Sequence, residues 1–157
     1  MILDEPDLVR WGKRVGVCVQ PPVCVVLTGP VGTGKSVLAR AIIRGSGIDD
    51  LVPSPTFNLL HRYQTPNGLE IVHLDLYRLE RPDDLWEIGW EELGAPNEVT
   101  LIEWPERAGE LLPSDYWEVS LEVAETGPLF RSVEVTRVGQ PGSLPGFPVQ
   151  LSSRSDL

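Results

Sequence analysis

GPVGTGKS, residues 29 to 36, fits the pattern G-x-x-x-x-G-K-[ST]. Before it lies PVCVVLTG (22–29), a short apolar, β-branched run that reads as a buried strand. After it, a helix is expected from about Gly34 to Arg44, ended by Gly45 and Gly47. Strand, glycine loop and helix in that order make a phosphate cradle. Gly29, Gly32 and Gly34 let successive backbone N–H groups turn inward as a nest for phosphate oxygens. The helix N-terminus adds its partial positive charge. Lys35 reaches the β and γ phosphates, and the Ser36 hydroxyl can ligate Mg²⁺.

A nucleoside triphosphate site also needs a carboxylate near the metal, usually at the end of a neighbouring apolar strand. Two strands end that way. IVHLD closes on Asp75 and VTLIE closes on Glu103. If both run parallel to 22–28, both carboxylates emerge beside the glycine loop. Mg²⁺ is hard and prefers oxygen, so either can serve it directly or through water. In IVHLDLY (71–77), Val72, Leu74 and Leu76 share one face, and Ile71, His73, Asp75 and Tyr77 share the other. His73 could therefore orient Asp75. SPTF (54–57) follows the first helix of the cradle, where Thr56 is a candidate to sense the γ-phosphate.

The rest of the chain reads as one α/β domain with a mixed sheet. Residues 5–14 form a short helix opened by Asp4 and Pro6. NLLHRYQ and LEIVHLDLYRL flank TPNG, and YWEVSLEVA and LFRSVEVTRV flank ETGP, two hairpins. PDDLWEIGWEELG (82–94) is a helix or two short helical turns, and PERAGELL (105–112) starts another helix. The order of elements predicts a three-layer P-loop NTPase-like fold with a compact mixed β-sheet over residues 1–138. From Gly139 the chain turns Gly-, Pro- and Ser-rich, and 139–157 is expected to be a flexible tail.

Composition narrows the classes. The 157 residues, 41% hydrophobic, suffice for one domain with a core. No run approaches the roughly 18 apolar residues of a membrane span, and the acidic N-terminus lacks a signal pattern, so a cytoplasmic location is expected. Cys18 and Cys24 are too few for a zinc site. The net charge is −10, and residues 70–125 alone carry 16 acidic and 3 basic side chains. That middle repels phosphate backbones and disfavours direct RNA or DNA binding, while it could attract a basic protein partner.

No NKxD-like guanine signature is present, which argues against the common GTPases. Arg78 and Arg81 are the only basic residues between 63 and 106, so a kinase-type lid is not evident. Four blocks in order, GPVGTGKS, SPTF, HLDLYRL and LIEWPE, make the chain resemble the TsaE (YjeE) family, over roughly residues 5–137. These are bacterial P-loop ATPases of tRNA threonylcarbamoyladenosine (t6A) biosynthesis. The resemblance implies that the chain binds and hydrolyses ATP with Mg²⁺. It would support threonylcarbamoyl transfer to adenosine 37 of tRNA, alongside transferase subunits of the TsaD and TsaB type, touching tRNA only indirectly. Gly32, Thr33, Gly34, Lys35, Ser36 and Val37 would contact phosphates, with Gly29 opening the loop. Ser36 and Glu103 would serve Mg²⁺, Asp75 would act in catalysis or on the metal beside Lys35, Thr56 would sit near the nucleotide, and Trp104 would pack beside the site. Two departures stand out. Pro30 replaces an acid the family often has, and Val37 replaces a second hydroxyl residue after Lys35. A small-molecule kinase and a nucleotide-gated binding module with negligible turnover are the competing readings.

Overall fold

A computed structural model describes residues 1–49, 52–53 and 58–144. Seven strands form one mixed sheet: β1 (Ile2–Asp4), β2 (Val23–Thr28), β3 (Leu60–Gln64), β4 (Glu70–Asp75), β5 (Glu98–Glu103), β6 (Tyr116–Val123) and β7 (Phe130–Val138). Their order across the sheet is β1-β7-β6-β2-β5-β4-β3. The centre is parallel: β2 lies between β6 and β5, and β5 pairs with β4. Both hairpins foreseen from their turn residues, β3–β4 and β6–β7, are antiparallel pairs at the flanks. The parallel strands read as continuous apolar runs because both of their faces are covered.

Helices α1 (Glu5–Cys18) and α2 (Lys35–Gly45) cover one face. Leu8, Trp11 and Val15 of α1 and Leu38, Ile42 and Ile43 of α2 join Val25, Leu27, Ile71, Leu101 and Val119 in one core cluster. On the other face Val26, Val72, Leu74 and Ile102 pack against Leu85, Trp90 and Ala108. Those come from three short 3₁₀ segments, Pro82–Ile88, Trp90–Glu92 and Pro105–Leu111. The three layers are therefore helix, sheet and 3₁₀ cover, the expected α/β architecture.

Local differences from the sequence reading have identifiable causes. α1 runs to Cys18 rather than stopping near residue 14, because Val15 and Gly16 stay on its buried stripe with Leu8, Trp11 and Gly12. Gly16 is an approach point rather than a weak spot: a Cβ there would collide with the carbonyl of Ile42, and one on Gly45 with that of Lys13. The segment 105–112 tightens into 3₁₀ geometry and kinks at Gly109 (φ 54°, ψ −130°). β1 escapes a pattern-based reading because three residues carry too little periodicity; its pairing with β7 makes it a strand. Residues 71–76 are buried on both sides, so neither face of β4 is open to water. The described start of the expected tail packs on the domain: Leu144 is 2% exposed, and Trp117 Nε1 donates to Gly142 O at 2.8 Å. The indole donor and the apolar pocket for Leu144 hold these residues against the sheet. Thr56 and the rest of SPTF fall outside the described residues.

Candidate functional site

The carboxyl ends of β2, β5 and β4 lie side by side, the usual position of a ligand crevice in a parallel sheet. β2 runs into the glycine loop. Register sets Leu27 beside Glu103, and Glu103 beside Asp75. One cavity of about 440 Å³ opens there. Its walls bring together Gly32, Thr33, Gly34, Lys35, Ser36, Val37, Asp75, Glu103 and Trp104, all anticipated from sequence.

The loop geometry follows from its residues. Gly29, Gly32 and Gly34 adopt φ of 133°, 82° and 101°. These are left-handed or mirror-β values that a side chain resists. At Gly29 space forbids one as well, since a Cβ would strike the Leu121 carbonyl. Gly34 caps α2, and its carbonyl accepts from Leu38 N at 2.9 Å. The Thr33 hydroxyl is 1% exposed and donates to Pro30 O at 2.8 Å, so its side chain braces the loop from inside.

Lys35 folds over the loop. Its Nζ donates to the carbonyls of Gly29 (2.6 Å) and Pro30 (2.8 Å) and sits 4.2 Å from the centroid of the Trp104 ring. Burial pushes the ammonium below the ordinary lysine range, against the opposing pull of Glu103, Glu106 and Asp75. An anion entering the cavity would restore that lost solvation. Trp104 is held at φ 58°, ψ 52°, a left-handed conformation costing about 1–3 kcal/mol for a residue with a side chain. Its ring also tilts against Tyr77 at 5.0 Å between centroids. This strained residue directly follows Glu103 in the chain.

The carboxylates are positioned, not solvated. Glu103 is 1% exposed. Its Oε2 accepts from Ser36 Oγ at 2.8 Å, and its Oε1 meets His73 Nε2 at 2.8 Å. Asp75 is also buried, and its Oδ1 accepts from Tyr77 N at 3.1 Å. His73 thus bonds Glu103, whereas the sequence pattern suggested Asp75; both acids share its face, but the ring reaches across to β5. Two carboxylates and one hydroxyl form an all-oxygen donor set suited to a hard divalent cation. Among the described residues no group of three or more His, Cys, Asp or Glu is placed to hold a metal unaided. An ion here would share its coordination with a phosphate-bearing ligand and water.

Arg131, on β7, was not singled out by sequence reasoning. Its Nε donates to Thr33 O at 3.1 Å and its Nη2 to Gly32 O at 3.3 Å. Its Nη1 ties to the carbonyls of Pro128 (2.6 Å) and Phe130 (3.0 Å). One guanidinium thereby joins the β6–β7 hairpin to the glycine loop, 98 residues away in sequence. No local pattern around residue 131 signals this. Leu8, Val31, Pro128 and Leu129 add apolar surface to the same cavity, and Val31 and Leu129 are more than 70% exposed. No helix among the described residues is long and apolar enough to cross a membrane.

Comparison with known proteins places the chain in a family. Residues 2–131 match the family model described as threonylcarbamoyl adenosine biosynthesis protein TsaE. A tRNA threonylcarbamoyladenosine biosynthesis protein TsaE from Rickettsia bellii is 39% identical over 122 residues, covering 77% of this chain and 83% of that protein. The protein of the same name from Haemophilus influenzae is 30% identical over 144 residues, covering 88% and 90%. The crystal structure of YdiB from Bacillus subtilis superposes with a TM-score of 0.72 at 24% identity, covering 88% of this chain and 84% of that one.

Proposed function

The chain belongs to the TsaE family of tRNA threonylcarbamoyladenosine biosynthesis proteins, and from that premise we propose that it is the ATP-binding and hydrolysing subunit of the modification. It acts with transferase subunits of the TsaD and TsaB type and not on tRNA itself. The observation that carries this reading is the convergence of Lys35, Ser36, Asp75 and Glu103 on one cavity at the carboxyl ends of three parallel strands.

The roles follow from chemistry. Backbone N–H groups from Gly32 to Val37 hold the phosphates, and the α2 N-terminus adds its dipole. Lys35 leaves its carbonyl partners for the β and γ phosphates, because a phosphate oxygen outcompetes a neutral carbonyl for an ammonium. The oxygens of Ser36, Glu103 and Asp75 would hold Mg²⁺, which would supply neutralisation of phosphate charge. Asp75, at the cavity wall, orients the attacking water. The apolar rim of Leu8, Val31, Pro128 and Leu129 suits the flat face of a nucleobase. The acidic stretch 70–125 suits a protein partner that itself carries the RNA, in the cytoplasm.

Phosphate release from ATP tests this reading, measured with the chain alone and with the threonylcarbamoyl-transfer subunits added. Slow release alone and clear stimulation by the partners is the expected result. Transfer of phosphate to a metabolite instead of water, or ATP binding without turnover under either condition, would replace the reading with a kinase or a nucleotide-gated module.

A further inference from the structure

We propose that His73 is a positioning residue for Glu103. It fixes the carboxylate that, on the reading above, faces the magnesium–nucleotide, and it does so from behind the cavity wall. The inference rests on that reading of the site.

His73 is fully buried in the middle of β4 and is not part of the cavity lining, whereas Ser36, Asp75 and Glu103 are. It cannot touch a ligand there and acts only through another residue. That residue is Glu103: the Nε2–Oε1 distance is 2.8 Å, with both side chains almost wholly excluded from water. Glu103 Oε2 is taken by the Ser36 hydroxyl. Each carboxylate oxygen therefore has one donor, which sets the plane of the group. The chain His73–Glu103–Ser36 links β4, β5 and the first turn of α2.

The second ring nitrogen decides between a structural and a positioning role. His73 Nδ1 is buried with no hydrogen-bond partner. Facing a carboxylate oxygen, which accepts, Nε2 is the ring nitrogen placed to donate to Glu103. A buried polar side chain that leaves one atom unsatisfied is a poor way to fill a strand position. An apolar ring would pack there without that cost. What histidine contributes, and an apolar residue cannot, is the N–H that orients Glu103. Partners of this kind behind a metal-facing carboxylate typically set metal affinity by about 10- to 100-fold.

The test compares wild type, His73→Phe and His73→Gln. Glutamine reaches with an amide N–H about where imidazole Nε2 stands, while phenylalanine fills the slot without a donor. Binding of a fluorescent, non-hydrolysable ATP analogue is measured in EDTA and across a magnesium titration. The expected result is unchanged binding in EDTA for all three. His73→Phe should lose apparent magnesium affinity by about 10- to 100-fold, and His73→Gln should recover most of it. Wild-type magnesium dependence in His73→Phe overturns the inference, as does a His73→Gln variant as deficient as His73→Phe. Should His73→Phe not fold, His73→Gln decides alone: near-native magnesium dependence supports the role and its loss overturns it. A wild-type protein whose nucleotide binding ignores magnesium overturns the site reading and this inference together, which separates the two failures.

Discussion

Replacing Arg131 by alanine removes the side chain that pins two consecutive loop carbonyls, those of Gly32 and Thr33. With those carbonyls engaged, the glycine loop beside the cavity is held in one conformation. Losing the guanidinium lets the loop sample other conformations, and binding must then order it again. A net hydrogen bond contributes about 0.5–1.5 kcal/mol. One of these two is partly buried at 3.1 Å and the other exposed at 3.3 Å, so together they are worth about 1–2 kcal/mol. At 1.4 kcal/mol per tenfold, nucleotide affinity should fall about 5- to 30-fold in Arg131→Ala. Arg131→Lys retains the charge but lacks the planar fork that reaches both carbonyls at once, so it should recover only part of the loss. Isothermal titration with a non-hydrolysable ATP analogue reads both variants, with a melting curve to confirm the fold. A Kd for Arg131→Ala within twofold of wild type would refute the bracing role. Full recovery in Arg131→Lys would show that charge, not the two-pronged geometry, was responsible.

Four other outcomes follow from the same structure. Lys35→Ala should abolish tight ATP binding, whereas Asp75→Asn should spare binding and impair turnover; equal loss of binding in both would collapse the division of roles. Gly16→Ala should cost about 1–3 kcal/mol or more in urea unfolding, because its methyl group would collide with the Ile42 carbonyl where the two helices cross. Burial, then the Glu98 carboxylate, pushes the Cys24 thiol up to about 12. At pH 8 only about one molecule in ten thousand carries that thiolate, so Cys24 in the native protein should resist iodoacetamide while the unfolded chain reacts. The same shift has a definite sign for stability. Between its ordinary value of 9.0 and about 12 the native state holds a proton that the unfolded chain releases. Cys24 therefore costs nothing below pH 9 and makes stability fall as pH rises through that window. Alkaline unfolding of Cys24→Ala, less steep than wild type, checks it.

The glycine loop, its flanking strand and helix, both hairpins and the two carboxylates at strand ends were all legible along the chain. Each is a local event. A glycine's freedom at φ above zero, the period-2 alternation of a strand and the turn residues of TPNG and ETGP act within a few positions. Pattern alone could therefore name Lys35, Ser36, Asp75 and Glu103, which meet in one cavity. It pointed His73 at Asp75 on its own strand, whereas the ring bonds Glu103. Alternation assigns a face, but the choice across that face depends on which strand lies alongside, and β5 is placed between β2 and β4 only by the sheet's order. Arg131 lay beyond pattern for the same reason: its bonds to Gly32 and Thr33 span nearly a hundred residues and exist only once β7 closes the sheet toward the loop. The short 3₁₀ cover and the three-residue β1 were likewise settled by packing, since neither is long enough to hold its shape without the sheet it lies against. What the sequence determined by itself was the chemistry available and the local geometry of each part. Only the tertiary structure decided which groups face one another, because hydrogen bonds and burial between distant elements depend on distances that the chain order does not contain.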